Sequence, residues 1–127
     1  MSNRAVISTP DAPAAIGPYS QAVKVGNTVW LSGQIPLVPE TMEVVEGDIT
    51  AQARQVFNNL AAVAEAAGGS LNDAVKVNIS LTDLADFNAV NDVMAQFFDE
   101  PYPARACVQV AALPRGVGVE IELIMAL

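Results

Sequence analysis

The chain has 127 residues, of which 52% are hydrophobic and only 16% are charged, and its 14 acidic and 6 basic residues give a net charge of −8. An acidic balance argues against general binding to a nucleic-acid backbone, which relies on Lys and Arg to displace counterions. The sequence has no histidine, which excludes Ser-His-Asp and Cys-His catalysis and most zinc and iron ligand sets.

The length predicts one domain over residues 1–127 with a core of its own. The high apolar fraction of so small a domain predicts that part of its hydrophobic surface lies between the subunits of a homo-oligomer. The single cysteine cannot form an internal disulfide, and the sequence shows neither a secretory leader nor a run of 18 apolar residues. We therefore expect a cytoplasmic protein without membrane contact.

The N-terminal third predicts three short strands. Residues 4–8 form a weakly marked first strand, and residues 21–25 and 28–31 form a hairpin around the two-residue turn Gly26-Asn27.

Two features of this region are candidate site elements. Tyr19 follows Gly17-Pro18, a pair that interrupts regular secondary structure, so its ring is expected to project from an irregular segment. Ser32 and Gly33 end the hairpin, and a glycine there allows its backbone N–H to meet a ligand without a side chain in the way. The alternatives are a core or interface aromatic for Tyr19 and an ordinary strand-end glycine for Gly33.

Two amphipathic helices follow, separated by a strand. Asp48 is the predicted N-cap of the first helix, which runs to about Ala67, and Asp83 is the predicted cap of the second. Asn91 lies beside the apolar stripe of the second helix, where a surface hydrogen bond is the alternative to a site role. The stripe itself consists of Leu84, Phe87, Val90, Met94 and Phe97 or Phe98.

The strand between the helices covers residues 74–81. Its inward side chains are predicted to be Val75, Val77, Ile79 and Leu81.

The C-terminal segment alternates in polarity with period two, over residues 104–110 and again over residues 117–125. The turn signals between these runs predict that they pair as a hairpin with their apolar rows on one face. This register sets Cys107 opposite Glu120 and Arg105 opposite Glu122. A guanidinium, a thiol and two carboxylates would then share one surface, and a solvated Arg–Glu cross-strand pair is the alternative.

The order of elements is three strands, a helix, a strand, a helix and two strands. It favours a two-layer α+β sandwich, in which both helices cover one face of a mixed six-stranded sheet. Arg105, Cys107 and Glu120 are predicted to lie on the other face.

Several segments, in order along the chain, resemble the motifs of the RidA family, also called the YjgF family. They are AIGPYSQA at residues 15–22, LSGQIP at 31–36, QARQ at 52–55, PARACV at 103–108, LP at 113–114 and VEIE at 119–122. The resemblance implies a chorismate-mutase-like fold and a homotrimer with pockets between neighbouring subunits. It also implies hydrolytic deamination of the short imines 2-iminobutanoate and 2-iminopropanoate, which arise from pyridoxal-phosphate-dependent eliminations, to 2-oxo acids and ammonia. No metal or cofactor is implied.

Under this resemblance Arg105 and Glu120 are the catalytic candidates. The planar fork of Arg105 would bind the carboxylate of the imine or enamine, and Glu120 would orient the attacking water and relay a proton. The substrate-binding candidates are Tyr19, Ser32, Gly33, Asn91, Arg105 and Cys107. The connector at residues 99–102 is shorter than in many relatives, which is expected to alter the pocket rim.

Other functions are compatible with the same motifs. An aminoacrylate or 2-aminomuconate-type deaminase would share the carboxylate clamp, and a non-catalytic protein could bind 2-oxo or amino acids in the same pocket. Ribonuclease or translation-inhibitor activity is attributed to some relatives, but the charge of −8 and the lack of histidine argue against it. Cys107 has no histidine to act as its base, so a backbone or packing role is preferred over a nucleophilic one.

Overall fold

A computed structural model describes residues 3–127. The helices are α1 (Ile49–Ala66) and α2 (Phe87–Phe97), and the strands are β1 (Ala5–Ile7), β2 (Ala22–Val25), β3 (Thr28–Gln34), β4 (Ala74–Leu81), β5 (Ala104–Gln109) and β6 (Val119–Ala126). Three single-turn 3-10 helices precede β4, α2 and β6. No helix among the described residues is both long and apolar enough to cross a membrane.

The six strands form one mixed sheet in the order β1-β2-β3-β6-β4-β5. Only β4 and β5 pair in parallel, and all other neighbours are antiparallel. Because β3 and β4 are both antiparallel to β6, they run in the same direction, and α1 connects them across the face of the sheet. Helix α2 connects β4 to β5 on the same face. The predicted α+β architecture, a six-stranded mixed sheet with two helices on one face, is therefore confirmed.

The predicted C-terminal hairpin is wrong. Strand β6 lies between β3 and β4, whereas β5 is an edge strand paired with β4 alone. Ile79 of β4 is flanked by Cys107 on one side and Ile121 on the other, so the two C-terminal strands never touch. Polarity alternation defines the two faces of a strand but not its neighbours. The apolar row of β6 is fully buried, so this strand takes a central position.

The face predicted for β5 is also wrong. Arg105 is in register with Val77, and Cys107 with Ile79, both of which are buried beneath the helices. The side chains of Arg105 and Cys107 therefore lie on the inner, helix-covered face, and the small apolar row of β5 lies on the outer face. The edge position explains the reversal, because an edge strand buries little of either face and polarity no longer indicates which face is inward.

Both helices begin close to their predicted positions. The Asp48 side chain accepts a hydrogen bond from the Ala51 N–H at 3.0 Å, and Asp83 caps the 3-10 turn that leads into α2. In β4 the inward position predicted for Val75 is wrong. A register shift between Ala74 and Lys76 turns Val75 outward, where it is 48% exposed.

The core lies between the helices and the inner face of the sheet. Phe57 of α1 is at its centre, stacked on Phe97 at 5.4 Å and in edge contact with Phe98 at 5.8 Å between ring centroids. Neither α1 nor α2 packs on the outer face of the sheet, and Val6, Trp30 and Val108 are 67%, 43% and 52% exposed there. Exposed apolar side chains on one face are typical of an interaction surface.

Candidate active site

Arg105 is held by three residues of one helix. Its Nη1 donates hydrogen bonds to Oδ1 of Asn91 and, at 3.8 Å, to the sulfur of Met94, and its Cζ lies 5.1 Å from the centroid of the Phe87 ring. These residues are spaced by four and three positions, so they face β5 from the same side of α2. No carboxylate among residues 3–127 forms an ion pair with Arg105. The guanidinium is therefore oriented and still able to bind an anion.

A groove of about 440 Å³ opens beside this guanidinium, and we call it the Arg105 groove. Its other lining residues include Asn91, Met94, Phe98, Tyr102 and Pro103. The connector at residues 99–102 thus contributes Tyr102 to the groove wall. A predominantly apolar groove with one fixed cation suits a small molecule that bears a carboxylate.

Cys107 lies two residues beyond Arg105 on the same strand face and packs against the hydrophobic core. Burial raises the pKa of its thiol, and the positive charge of Arg105 only partly offsets this effect. The thiol is therefore protonated at neutral pH, which does not favour a nucleophilic role.

Gly33 lies in a β-bulge of β3, next to Glu120 and away from the β5 edge that carries Arg105. Between Leu31 and Gln34 strand β3 advances three residues while β6 advances only from Leu123 to Ile121, so β3 contains one extra residue. A Cβ atom at Gly33 would lie 2.8 Å from Oε1 of Glu120. The absence of a side chain at this position is therefore what admits the Glu120 carboxylate.

Glu120 lines a cleft of about 180 Å³ on the outer face, which we call the acidic cleft. Gly33, Asn78, Ser80 and Glu122 complete its lining. Partial burial raises the pKa of Glu120, and the nearby Glu122 carboxylate raises it further. A carboxyl group with a raised pKa next to hydroxyl and amide groups is suited to hold a water and exchange protons with it.

Ser32 fastens this part of β3 to the preceding loop. Its hydroxyl donates to the Ser20 carbonyl at 2.6 Å, and its N–H donates to the Gln21 carbonyl at 2.9 Å. The Gln21 side chain in turn binds the backbone of the loop before it, through contacts with Thr9, Ala12 and Pro13. Because the Ser32 hydroxyl is engaged in this hydrogen bond with the Ser20 carbonyl, its role in this chain is to position the loop that carries Tyr19.

Tyr19 is 53% exposed, and its phenol oxygen accepts a hydrogen bond from the Ile16 N–H at 3.3 Å. It lines a pocket of about 290 Å³, the Tyr19 pocket, together with Gly33, Gln34 and Arg115. Gly33 also borders the acidic cleft, so the Tyr19 pocket and Glu120 are neighbours.

The structure thus separates the predicted site residues into two groups. Arg105, Asn91 and Cys107 lie on the inner face at the β5 edge, whereas Glu120 and Gly33 lie at a cleft on the outer face. Tyr19 and Ser32 belong with the second group. One chain by itself does not bring the guanidinium and the Glu120 carboxylate together.

Some residues around these groups were not predicted as site elements. Phe87 and Met94 contact Arg105, although the helical stripe assigned them to the core. Phe87 and Met94 lie four and three positions from Asn91, a spacing that places all three on one side of the helix and could have indicated that they contact Arg105 together. Gln34 and Arg115 line the Tyr19 pocket, and no pattern in the sequence indicates that they meet. Among the described residues no group of three or more Asp, Glu or Cys side chains is arranged to hold a metal ion.

Known proteins resemble this chain over nearly its whole length. A 2-iminobutanoate/2-iminopropanoate deaminase from Dermatophagoides farinae is 55% identical over 125 residues, which cover 98% of each chain. The crystal structure of RidA from an Antarctic Psychrobacter is 63% identical and has a TM-score of 0.93, with 97% of this chain and 99% of that chain covered. Escherichia coli TdcF, solved with bound serine, is 48% identical with a TM-score of 0.92 and covers 97% and 98% of the two chains.

Fold and site together define a small α+β protein with an oriented arginine at a sheet edge and a half-buried carboxylate on the outer face. Residues 9–127 match the family described as endoribonuclease L-PSP. The chain belongs to this family, which includes RidA, and the resemblance inferred from its motifs is confirmed.

Proposed function

We propose that this protein is a 2-iminobutanoate/2-iminopropanoate deaminase, which hydrolyses short 2-imino acids and their enamine tautomers to 2-oxo acids and ammonia. The observation that carries the proposal is the Arg105 guanidinium, which Asn91, Met94 and Phe87 orient beside a groove without neutralising it. The relative from Dermatophagoides farinae bears the name of this activity. TdcF, crystallised with serine, shows that a similar chain binds a small molecule with a carboxylate.

In the proposed reaction Arg105 binds the substrate carboxylate through two parallel hydrogen bonds, which fixes the position of C2. Glu120 holds a water and takes one of its protons as the water oxygen forms a bond to C2. The electron pair of the C=N bond moves to nitrogen, which receives that proton and gives a carbinolamine.

Breakdown of the carbinolamine completes the hydrolysis. Glu120 accepts the hydroxyl proton and delivers it to nitrogen, the C–N bond breaks, and a 2-oxo acid and ammonia leave. One water is consumed and Glu120 returns to its starting state. Backbone groups at Gly33 and Cys107 would contact the imine nitrogen or the polar edge of the substrate, and Tyr19 and Ser32 would close the pocket.

The proposal includes a cytoplasmic homotrimer with the site between copies. Arg105 and Glu120 lie on opposite faces of one sheet, so the guanidinium of one copy must meet the acidic cleft of a neighbouring copy for this mechanism to operate. The exposed apolar residues of the outer face support such an assembly, since their burial would provide the hydrophobic contribution.

The test generates 2-iminobutanoate in situ from threonine with a dehydratase and traps it with semicarbazide. The wild-type protein at low concentration should suppress trapping catalytically, and Arg105→Ala should abolish suppression while the assembly stays intact by light scattering. Replacing threonine and its dehydratase with an enzyme system that generates aminoacrylate or 2-aminomuconate tests the alternative deaminase activities in the same assay.

A non-catalytic binder of 2-oxo or amino acids is the second candidate, because the TdcF structure holds an amino acid. It would protect the imine only in proportion to its concentration. Cleavage of RNA in a parallel incubation, without effect on the imine, would instead favour the activity named in the family description.

A further inference from the structure

The Tyr19 pocket is larger than a short 2-imino acid requires, and it carries a cation that the proposed mechanism does not use. Its volume of about 290 Å³ is close to the lower limit for pockets that enclose drug-sized ligands. Gly33 lies both in this pocket and beside Glu120. A substrate whose C2 atom is at the acidic cleft could therefore extend its side chain into the Tyr19 pocket.

Arg115 provides the cation at the rim of this pocket. Its Nη1 donates to the Met42 carbonyl at 3.1 Å, and no described carboxylate forms an ion pair with it. Arg115 and Met42 both have a φ of 61°, a left-handed conformation that is unfavourable in a residue other than glycine. Two strained turns thus hold an unneutralised guanidinium at the rim, in a chain whose net charge is −8.

Gln34 provides an amide in the wall of the pocket. The residue is only 6% exposed, and its side-chain amide makes no hydrogen bond with any of residues 3–127. Gln21 is buried to a similar degree, but its amide binds the backbone of three other residues. Among the described residues no buried side-chain N or O atom lacks a hydrogen-bond partner, so the unpaired amide atoms of Gln34 must be accessible at the surface of the pocket. The Gln34 amide is therefore available to a ligand in the Tyr19 pocket.

We propose, on the basis of the deaminase function above, that the Tyr19 pocket receives the substrate side chain and that Arg115 and Gln34 bind a carboxylate at its end. Ile35, Leu37 and Met42 supply the apolar wall for the intervening methylene groups. The protein then accepts dicarboxylic 2-imino acids in addition to short monocarboxylic ones. Arg105 binds the carboxylate next to the imine, and Arg115 binds the distal one.

The experiment compares two substrates on matched variants. 2-Iminobutanoate comes from threonine and a dehydratase, and 2-iminoglutarate comes from glutamate and an amino-acid oxidase with catalase, both followed by semicarbazide trapping. The variants are Arg115→Ala, Gln34→Leu and the control Arg54→Ala. Arg54 is also an exposed arginine, but its guanidinium contacts Gln96 between the two helices, outside the pocket. Both Arg→Ala variants remove one positive charge.

The measured quantity is kcat/KM for 2-iminoglutarate divided by kcat/KM for 2-iminobutanoate. Loss of one charge-assisted contact should lower this ratio about tenfold in Arg115→Ala, and Gln34→Leu should lower it severalfold. Arg54→Ala should keep the wild-type ratio. An unchanged ratio in Arg115→Ala, or an equal fall in both arginine variants, overturns the proposal, as does a wild-type protein that hydrolyses only 2-iminobutanoate.

Calorimetry separates failure of this proposal from failure of the proposed function. If the wild type hydrolyses neither imine, the deaminase function is wrong, and the dissociation constants of 2-oxoglutarate and 2-oxobutanoate then test the pocket. Binding of 2-oxoglutarate that is tighter than that of 2-oxobutanoate, and that weakens about tenfold in Arg115→Ala alone, supports the subsite. Equal affinities, or no binding of 2-oxoglutarate, overturn it.

Discussion

Arg105 and Glu120 lie on opposite faces of one sheet, and strand β4 separates the two strands that carry them. Arg105 belongs to an edge strand and contacts α2, whereas Glu120 belongs to a central strand and borders the bulge at Gly33. Any reaction that needs both side chains at once therefore needs two copies of the chain.

Subunit mixing tests this arrangement directly. Arg105→Ala and Glu120→Gln should each be inactive as pure proteins. Random mixing of equal amounts into trimers joins an intact Arg105 to an intact Glu120 of a neighbour at about one site in four, so about a quarter of wild-type activity should return. The measurement is imine hydrolysis after denaturation and joint refolding. Mixtures that stay inactive, although mass spectrometry shows mixed trimers, would mean that each site belongs to one chain.

Asn91 is expected to act as a positioning residue for Arg105. Asn91→Asp places a carboxylate on the guanidinium, which then competes with the substrate, so KM should rise about tenfold with a smaller fall in kcat. Asn88→Asp is the matched control, because Asn88 is exposed on the same helix and its side chain makes no hydrogen bond with any of residues 3–127. Steady-state kinetics give both constants, and identical effects of the two substitutions would exclude the positioning role.

Gly33 is expected to be required for the position of the Glu120 carboxylate. In Gly33→Ala the new Cβ would lie 2.8 Å from Oε1, so the carboxylate must shift and kcat should fall by about 10- to 100-fold. In a Glu120→Ala background the same substitution should cause no further loss. If Gly33→Ala reduces the residual activity of that background equally, the glycine acts independently of Glu120.

Glu120 should give the protein a recognisable pH dependence of stability. Because its pKa is raised in the folded state, folding favours the protonated form, and the stabilisation present at low pH is lost as the pH rises through the raised pKa. Glu120→Gln should therefore raise Tm relative to the wild type at pH 7, and the difference should disappear below the ordinary glutamate pKa of about 4.3. Thermal unfolding from pH 4 to pH 8 measures this; a constant or reversed difference would contradict it.

The raised pKa of Glu120 also predicts the pH at which activity is lost in acid. A glutamate base must be ionised, so kcat/KM should fall at a pH above the ordinary glutamate pKa. Glu122→Gln removes a negative charge that raises the Glu120 pKa. This substitution should therefore move the acidic limb of the pH–activity profile to lower pH. A limb that does not move would show that another group controls it.

Cys107 should be dispensable as a nucleophile. Its raised pKa keeps the thiol protonated, and the sequence offers no histidine as a base. Cys107→Ala should keep kcat within about threefold of the wild type, because the backbone contact at this position remains. Cys107→Ser provides a second, more conservative variant. Complete loss of turnover in both, with assembly intact, would instead require covalent chemistry at the sulfur.

The sequence alone was sufficient for the family and for most of the local structure, apart from the register shift that turns Val75 outward. Glycine and aspartate signals located the hairpin of β2 and β3 and the starts of both helices, because turns and caps depend on residues close together in the chain. Polarity alternation located β4, β5 and β6 for the same reason. The motifs around Tyr19, Gly33, Arg105 and Glu120 identified the family before any geometry was known.

Strand neighbours and faces were decided only by the tertiary structure. Arg105 and Cys107 lie beneath α2 and not beside Glu120, because β6 inserts between β3 and β4 to bury its apolar row and leaves β5 at the edge. The Tyr19 pocket joins Gln34 to Arg115, which are 81 residues apart in the numbering (115 − 34). Alternation along a strand records how much each side chain is buried, but pairing between distant segments depends on which arrangement covers the most apolar surface. That choice belongs to the whole chain.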